Sequence, residues 1–172
     1  MNITDAINIE MIHYYQGDPQ RIQHFTKVAA YCSLIARMHS LSQREITFIT
    51  IAGLIHDIGI KEGEKRFTRS DGKIQEELGP ALAKKLLSHY RTDLHEEEIE
   101  RLCYLVGHHH TYTNIDGIDY QILVEADFLV NLYERSLETG KPIQKETVLA
   151  TEANIFRTEE GKRILRDMYG II

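Results

Sequence analysis

The sequence predicts an all-α fold, and three observations support this prediction. Apolar residues recur at the three- and four-residue spacing of a helix along most of the 172 residues. Residues that favour helix starts, such as the pair Asp18-Pro19 and the capping box Ser42–Glu45, stand between these periodic segments. No stretch keeps the alternation of polar and apolar residues that marks a half-buried strand. We therefore expect a single domain over residues 1–172, built as a bundle of about 7–8 helices.

The first three predicted helices cover residues 3–16, 19–38 and 42–56. The first has an apolar face and is ended by Gly17. The second places His24 on the same face as Val28, so the imidazole is expected to point into the bundle. The third closes on the pair His56-Asp57, and a glycine follows two residues later.

Residues 60–74 have no clean period and carry several basic side chains, which predicts a loop long enough to act as a lid. A helix is predicted over 75–89, with Gly79-Pro80 leaving open a start at Pro80. The predicted helix at 92–107 has glutamates in its first turn. The predicted helix at 119–137 is followed by a glycine and a proline that end it. The last four predicted helices lie at 92–107, 119–137, 143–156 and 158–169. The core is expected at about residues 20–135, with the C-terminal helices at 143–169 packing on it.

The composition restricts the classes of partner. The formal net charge is −6 and the isoelectric point is about 5.8, so the chain lacks the broad basic surface that a nucleic acid duplex requires. No window reaches the roughly 18 uninterrupted apolar residues of a membrane span, and residues 1–5 do not resemble a signal peptide. We expect a cytoplasmic protein without a membrane partner, either a monomer or a homodimer. Cys32 and Cys103 stand singly in apolar segments, as core residues do.

Histidines and aspartates with metal-binding chemistry stand at four separate places. They are His24, the pair His56-Asp57, the run His108–His110, and Asp127. Each has an ordinary explanation when taken alone: a core histidine, a helix end, a solvated helix terminus, and an exposed acid. A carboxylate such as Asp127, if buried in an apolar helix, is costly without a cation or strong donors. Together these groups would form a centre for a borderline divalent ion with positions open to water.

The order of these residues resembles that of a known family. The chain is similar to the HD-domain superfamily of metal-dependent phosphohydrolases in this order, and in the segment Gly-Leu-Ile-His-Asp-Ile-Gly at 53–59. The resemblance extends over about residues 20–135. It implies an HD-domain helical bundle, hydrolysis of phosphate esters, and a divalent metal ion. The implied metal ligands are His24, His56, Asp57 and Asp127.

Members of that superfamily with two metals usually have further histidines, one on the helix after the His-Asp loop and one or two on the next helix. His108 and His109 match the second group, with His110 as an additional candidate. The first group has no match, because residues 75–79 are Gln-Glu-Glu-Leu-Gly. Either Glu76 supplies an oxygen ligand there or the site holds a single ion. The ion is left open among Mn, Fe, Co, Ni, Mg and Zn.

Charged residues near the metal are expected to carry catalysis and substrate binding. Asp57 or Asp127 would take a proton as a metal-activated water attacks. Lys61, one position after the place where related sequences often have lysine, is a candidate for both roles. The other candidates for binding the substrate phosphate are Arg21, Arg66 and Arg69. For the residues of the loop, the alternative is a solvated surface.

The sequence therefore predicts a cytoplasmic, metal-dependent phosphohydrolase of a small phosphorylated metabolite, with a nucleotide as the favoured substrate. Two alternatives stay open. The same fold could serve as a non-catalytic sensor that binds a nucleotide or a metal, or as a helical interaction module whose histidines are coincidental. No motif specifies the substrate, the native metal, the number of ions or the oligomeric state.

Overall fold

The computed structural model describes residues 1–171 as an all-helical bundle, which confirms the predicted fold class. These residues contain no strand, and none of their helices is long and apolar enough to cross a membrane. The helices are α1 Ile3–Tyr14, α2 Pro19–Met38, α3 Gln43–Ile55, α4 Ile60–Phe67, α5 Gly72–Leu87, α6 Glu96–Val106, α7 Ile118–Thr139, α8 Lys145–Ile155 and α9 Glu159–Tyr169, with a 3-10 turn at Ser88–Tyr90.

Capping residues account for where several of these helices begin. The side chain of Asp18 accepts a hydrogen bond from a backbone amide in the first turn of α2. Ser42 and Glu45 form the predicted capping box at the start of α3. Asp71 caps α5 in the same way as Asp18 caps α2. The helix starts near the candidate site therefore follow from local sequence.

The segment 60–74 is not the irregular loop that the sequence pattern predicts. Its first eight residues form α4, and the chain then turns at Thr68, which has a left-handed φ of 58°. The pattern fails here because α4 has only eight residues, and its two apolar side chains, Ile60 and Phe67, lie seven positions apart among charged residues, which is too short a repeat to establish a helical period. Pro80 lies inside α5, which starts at Gly72, and does not begin the helix.

Helices α2, α3 and α7 form the centre of the bundle, and α1 and α6 pack against α3. Helices α2 and α3 approach most closely at Gly53. A Cβ atom at this position would lie 2.8 Å from Cα of Ala29, so a side chain would push the two helices apart. This close approach allows His24 on α2 to reach His56 at the end of α3.

The buried carboxylate of Glu125 ties the C-terminal helices to α7. It accepts hydrogen bonds from the backbone amides of Arg157 and Thr158, at 2.6 and 2.9 Å, and from the Thr158 hydroxyl. The side-chain amide of Gln121 donates to it as well, at 2.7 Å. These donors satisfy a charge that would otherwise be costly to bury. The corner between α8 and α9 is thereby held against α7.

Candidate metal centre

The His-Asp pair lies directly after α3. Nδ1 of His56 is 2.9 Å from the carbonyl oxygen of Gly53. Because a carbonyl oxygen can only accept, Nδ1 donates its proton, and in the neutral imidazole the lone pair that can bind a metal ion is on Nε2. The side chain of His56 is fully buried, and without a metal the carboxylates of Asp57 and Asp127 raise its pKa above the ordinary value despite this burial.

His24, His56, Asp57 and Asp127 come together in what we call the first ligand set. Nε2 of His24 lies 3.3 Å from Nε2 of His56. Oδ1 of Asp127 lies 3.2 and 3.5 Å from these two nitrogens, and Oδ2 of Asp57 lies 3.4 Å from each. The two imidazoles and two carboxylates thus direct their ligand atoms at one another across a small space.

The environment of Asp127 fits a divalent cation in that space. The residue is 2 % exposed, and no group among the described residues meets hydrogen-bond geometry with its Oδ1, whose neighbours are Nε2 of His24 and Nε2 of His56 at 3.2 and 3.5 Å. A buried carboxylate oxygen without donors is unfavourable. A metal ion would satisfy it, and two imidazoles with two carboxylates are ligands that borderline divalent ions accept.

Asp57 also belongs to a second group of possible ligands. Its Oδ1 lies 3.3 Å from Nε2 of His109, and ligand atoms of Asp57, His109 and His110 lie within 4.8 Å of one another. Nε2 of His110 is in addition 2.8 Å from Oε1 of Gln75. We call Asp57, His109, His110 and Gln75 the second ligand set. Asp57 thus directs one carboxylate oxygen to each set.

The structure places His108 and Glu76 outside both ligand sets. Nδ1 of His108 donates to the carbonyl oxygen of Tyr104, and the two rings stack with centroids 4.1 Å apart. Glu76 accepts hydrogen bonds from the backbone amide of His110 and the hydroxyl of Thr111, both at 3.0 Å. These contacts do not support the expectation that His108 and Glu76 are metal ligands. Neighbouring residues in the chain direct their side chains differently, so His110 and Gln75 lie at the second ligand set instead.

Residues of both ligand sets line a cavity of about 320 Å³, although His56 and His109 are not among its walls. Its walls are formed by Asp18, Gln20, Arg21, His24, Asp57, Ile60, Gln75, His110, Asp127, Asn131 and Glu134. The guanidinium of Arg21 is paired with Asp18 and Glu64, each at 2.6 Å. A substrate anion would therefore compete with two carboxylates for Arg21.

The basic residues predicted from segment 60–74 do not line this cavity. Lys61 donates to the carbonyl oxygen of Tyr14 at 2.5 Å and lies over the Tyr14 ring. Arg66 pairs with Glu62, its neighbour on α4, and the side chain of Arg69 is 74 % exposed. These placements agree with the solvated-surface alternative and do not support a phosphate-binding role.

Two cavity histidines have opposite pKa shifts. Burial by itself would lower the pKa of His24, but the carboxylates of Asp127 and Glu134 outweigh it and raise this pKa to about 9. Burial, together with a neighbouring imidazole, lowers the pKa of His110 to about 4. Without a metal, His24 therefore carries a proton at neutral pH and His110 does not.

Comparison with protein families identifies the family to which the chain belongs. The family model described as HD domain matches residues 21–159, a range that contains both ligand sets. The chain belongs to the HD-domain family. This HD domain is thereby placed in a superfamily of metal-dependent phosphohydrolases. Neither the comparison with curated proteins nor the comparison with solved structures gives a significant match.

Helix α1 precedes the matched part of the HD domain but contacts its His-Asp turn. The hydroxyl of Tyr15 donates to the carbonyl oxygen of Asp57 at 2.7 Å, and that of Tyr14 to the carbonyl oxygen of Ile58 at 3.2 Å. These hydrogen bonds orient the backbone that carries the shared carboxylate. The sequence shows two tyrosines at the end of an amphipathic helix but does not show what they contact.

Glu134 is a further residue of the HD domain that the sequence reasoning missed. Nδ1 of His24 donates to its Oε2 at 2.8 Å, and Lys27 donates to its Oε1 at 2.6 Å. A carboxylate on Nδ1 keeps Nε2 available for metal and increases its basicity. Glu134 follows Asp127 by seven residues, which places both on one face of α7. That spacing is the signal that could have identified it.

Proposed function

We propose that this HD-domain protein is a metal-dependent phosphohydrolase, either a phosphomonoesterase or a phosphodiesterase, that acts on a small phosphorylated metabolite. We further propose a nucleotide as the substrate class. The observation that carries the proposal is the convergence of the imidazoles of His24 and His56 with the carboxylate of Asp57, beside the buried Oδ1 of Asp127. The adjoining cavity has room for a phosphoryl group.

His24, His56, Asp57 and Asp127 would hold the catalytic ion, which when bound acidifies water and withdraws charge from a phosphoryl oxygen. The carboxylates of the chain then accept the proton of the attacking water. Oδ1 of Asp57 is suited to this role, because it faces Nε2 of His109 and can pass the proton on. Asp127 is the alternative acceptor.

The remaining polar groups would position the substrate. Arg21 would bind a phosphate oxygen after the anion displaces Asp18 or Glu64 from its guanidinium. Asn131, one helical turn after Asp127, lines the cavity and offers an amide to the ester.

The ligand chemistry favours some ions over others. Imidazole-rich sets suit Mn, Fe, Co, Ni and Zn better than Mg, which prefers oxygen ligands and retains water. We propose one firmly held ion at the first ligand set. A second ion would bind less firmly, since the second ligand set has no carboxylate apart from the shared Asp57 and Gln75 is uncharged.

Hydrolysis of a panel of nucleotides, simple phosphate monoesters and phosphate diesters tests the proposal, with inorganic phosphate measured for the nucleotides and monoesters and the released alcohol measured for the diesters. Each ester is assayed with Mn²⁺, Mg²⁺, Co²⁺, Ni²⁺, Fe²⁺ or Zn²⁺, after removal of bound metal with a chelator. We expect hydrolysis that requires one of these ions and stops when the chelator is added again. Binding of a nucleotide without hydrolysis of any ester, with every ion, would support the non-catalytic sensor instead. Failure to bind either metal or nucleotide would support the interaction module.

A further inference from the structure

A groove beside the metal cavity has apolar chemistry that the cavity lacks. It encloses about 570 Å³ between the start of α2 and the end of α7. Tyr133 and Leu137, one turn apart on α7, form one wall, and Gln20, Gln23 and Lys27 on α2 form the other. Tyr133 is 45 % exposed and Leu137 is 62 % exposed. Nζ of Lys27 lies over the Tyr133 ring, 5.4 Å from its centroid, and the exposed remainder of Tyr133 and Leu137 is apolar surface that a ligand could bury.

The groove adjoins the metal cavity. Gln20 and Glu134 line both spaces. Glu134 stands between them, since one of its oxygens accepts from His24 in the cavity and the other from Lys27 in the groove. A ligand that extends from the metal past Glu134 would reach the groove.

The spacing along α7 fits a ligand with a short linker between two groups. Tyr133 follows Asp127 by six residues, which corresponds to about 9 Å of helix rise and a rotation of about 120° around α7, so Tyr133 lies beside the face that carries Asp127. The sugar of a nucleoside 5′-phosphate holds its phosphate and its base apart by a comparable length. A phosphate at the first ligand set would place the other end of such a molecule near Tyr133.

The charges of the groove select against a second anion. Glu134 and Glu138 contribute two carboxylates, and Lys27 contributes one ammonium group that is paired with Glu134. A further phosphate would meet net negative charge. An uncharged planar ring would not, and it could use the face of Tyr133 and the amides of Gln20 and Gln23.

We propose that this groove binds the base of a nucleoside 5′-phosphate whose phosphate lies at the metal centre. The base stacks on Tyr133, Leu137 covers its edge, and the amides of Gln20 and Gln23 bond to its polar atoms. This inference rests on the proposed phosphohydrolase function and adds the substrate feature that the groove recognises.

Another cavity near the metal centre is a less suitable place for the base. It encloses about 310 Å³ and is lined by residues that include Asn114, Asn154 and Arg157. Within residues 1–171 it has no lining residue in common with the metal cavity. The Arg157 guanidinium is already bonded to three backbone carbonyls.

The test compares substrates that differ only in the base. The values of kcat/KM for phosphate release are measured with four nucleoside 5′-monophosphates and with ribose 5-phosphate. The proteins are wild type, Tyr133→Ala and Tyr133→Phe, with Phe67→Ala as the control for loss of an exposed ring and Asn154→Ala as the control for the other cavity. Circular dichroism establishes that each variant is folded.

For Tyr133→Ala we expect kcat/KM to fall about tenfold or more for the nucleotides, as loss of base stacking predicts, with ribose 5-phosphate within about twofold of wild type. Tyr133→Phe keeps the stacking face and should resemble wild type, as should Phe67→Ala and Asn154→Ala. An equal loss for ribose 5-phosphate and the nucleotides would overturn the inference. A selective loss in Asn154→Ala would place the base in the other cavity.

Failure of the function and failure of the groove give different results. If wild type releases phosphate from none of the five esters, the proposed function fails. Titration calorimetry of the metal-loaded protein with 5′-AMP and ribose 5-phosphate then decides the groove separately. Tighter binding of 5′-AMP that is lost in Tyr133→Ala would support a base site on a non-catalytic protein, and equal binding of the two ligands would overturn it.

Discussion

The two ligand sets share Asp57 but differ in charge. The first set has a second carboxylate, Asp127, whose buried Oδ1 lacks a partner. The second has Gln75 in the corresponding role, and its amide oxygen already contacts Nε2 of His110 at 2.8 Å. An ion at the first set is therefore balanced by two negative charges, and an ion at the second set by one that is shared. We infer that the sets bind ions in sequence, with the first set filled before the second.

The sets also differ in how the protein holds a proton when no ion is bound. In the first set, the pKa of His24 is raised to about 9, so a proton takes the place of a cation. In the second, the pKa of His110 is lowered to about 4. The first set therefore attracts positive charge more strongly than the second, and the following changes test that difference.

Substitution of the shared carboxylate should have the largest effect. Asp57→Asn keeps the shape of the side chain but removes the negative charge that both sets use. We expect the purified variant to retain no metal by elemental analysis. Phosphate release should fall by more than the roughly 100-fold that loss of a supporting residue costs.

The matched control is Asp93→Asn, an exposed aspartate far from the cavity lining, which should keep wild-type metal content and activity. Full metal content in Asp57→Asn would show that the two sets do not share this ligand, and the comparison between them would fail.

Exchange of Gln75 for histidine should reduce the difference in metal affinity between the sets, although their difference in charge remains. Gln75→His supplies an imidazole in place of an uncharged amide oxygen. We expect affinity for the second ion to rise about 10- to 100-fold, the range over which changes around a metal site act. Titration calorimetry of the metal-free proteins with Mn²⁺ would resolve the binding of the first and the second ion, and the two dissociation constants should be closer together in Gln75→His than in wild type.

Glu76→Gln is the control for this exchange, because Glu76 bonds to the chain at His110 and Thr111 and lies outside the ligand sets. Its metal-to-protein ratio should equal that of wild type. Loss of half the metal in Glu76→Gln would instead make Glu76 a ligand and would contradict the assignment of Gln75 to the second set.

The opposite pKa shifts predict how the stability of the metal-free protein depends on pH. The folded pKa of His24, about 9, exceeds the ordinary 6.5, so its contribution to stability is complete below pH 6.5 and is lost as the pH rises through 9. The folded pKa of His110, about 4, is below 6.5, so stability from this residue increases between pH 4 and 6.5.

Urea denaturation of metal-free protein should therefore give a maximum midpoint near pH 6.5. The decline above pH 6.5 should be absent with bound metal, because a ligating imidazole carries no proton to lose. A decline of the same size in both forms would assign it to other groups.

Removal of the hydrogen bond from α1 should have the smallest effect. Tyr15→Phe leaves the carbonyl oxygen of Asp57 without its donor. We expect the free energy of unfolding to fall by about 1 kcal/mol. Affinity for the first ion should weaken several-fold, since Asp57 is held less firmly. Tyr14→Phe, which removes the longer 3.2 Å bond to Ile58, should change metal affinity less. Equal metal affinity in Tyr15→Phe and wild type would limit Tyr15 to stabilising the fold.

Sequence patterns predicted the parts of the molecule that depend on local periodicity. His24 lies at an apolar position of a long helix, so its inward direction followed from helical geometry, whereas the sequence left Asp127 open as an exposed or a buried acid. His56 and Asp57 close an apolar helix at a glycine, which marked the turn. The helix at 60–67 and the true start of α5 were missed, because a helix of eight residues with two apolar side chains is too short to establish a period.

The sequence by itself determined the all-α bundle, and its resemblance to the HD-domain superfamily implied the residues of the first ligand set. Tertiary structure alone decided which of three consecutive histidines face the cavity, because their directions depend on a turn packed against α5. It likewise decided that Gln75 and not Glu76 lies at the second set, and that Lys61 bonds to α1. Periodicity is a property of neighbours in the chain, whereas these contacts join residues more than 30 positions apart.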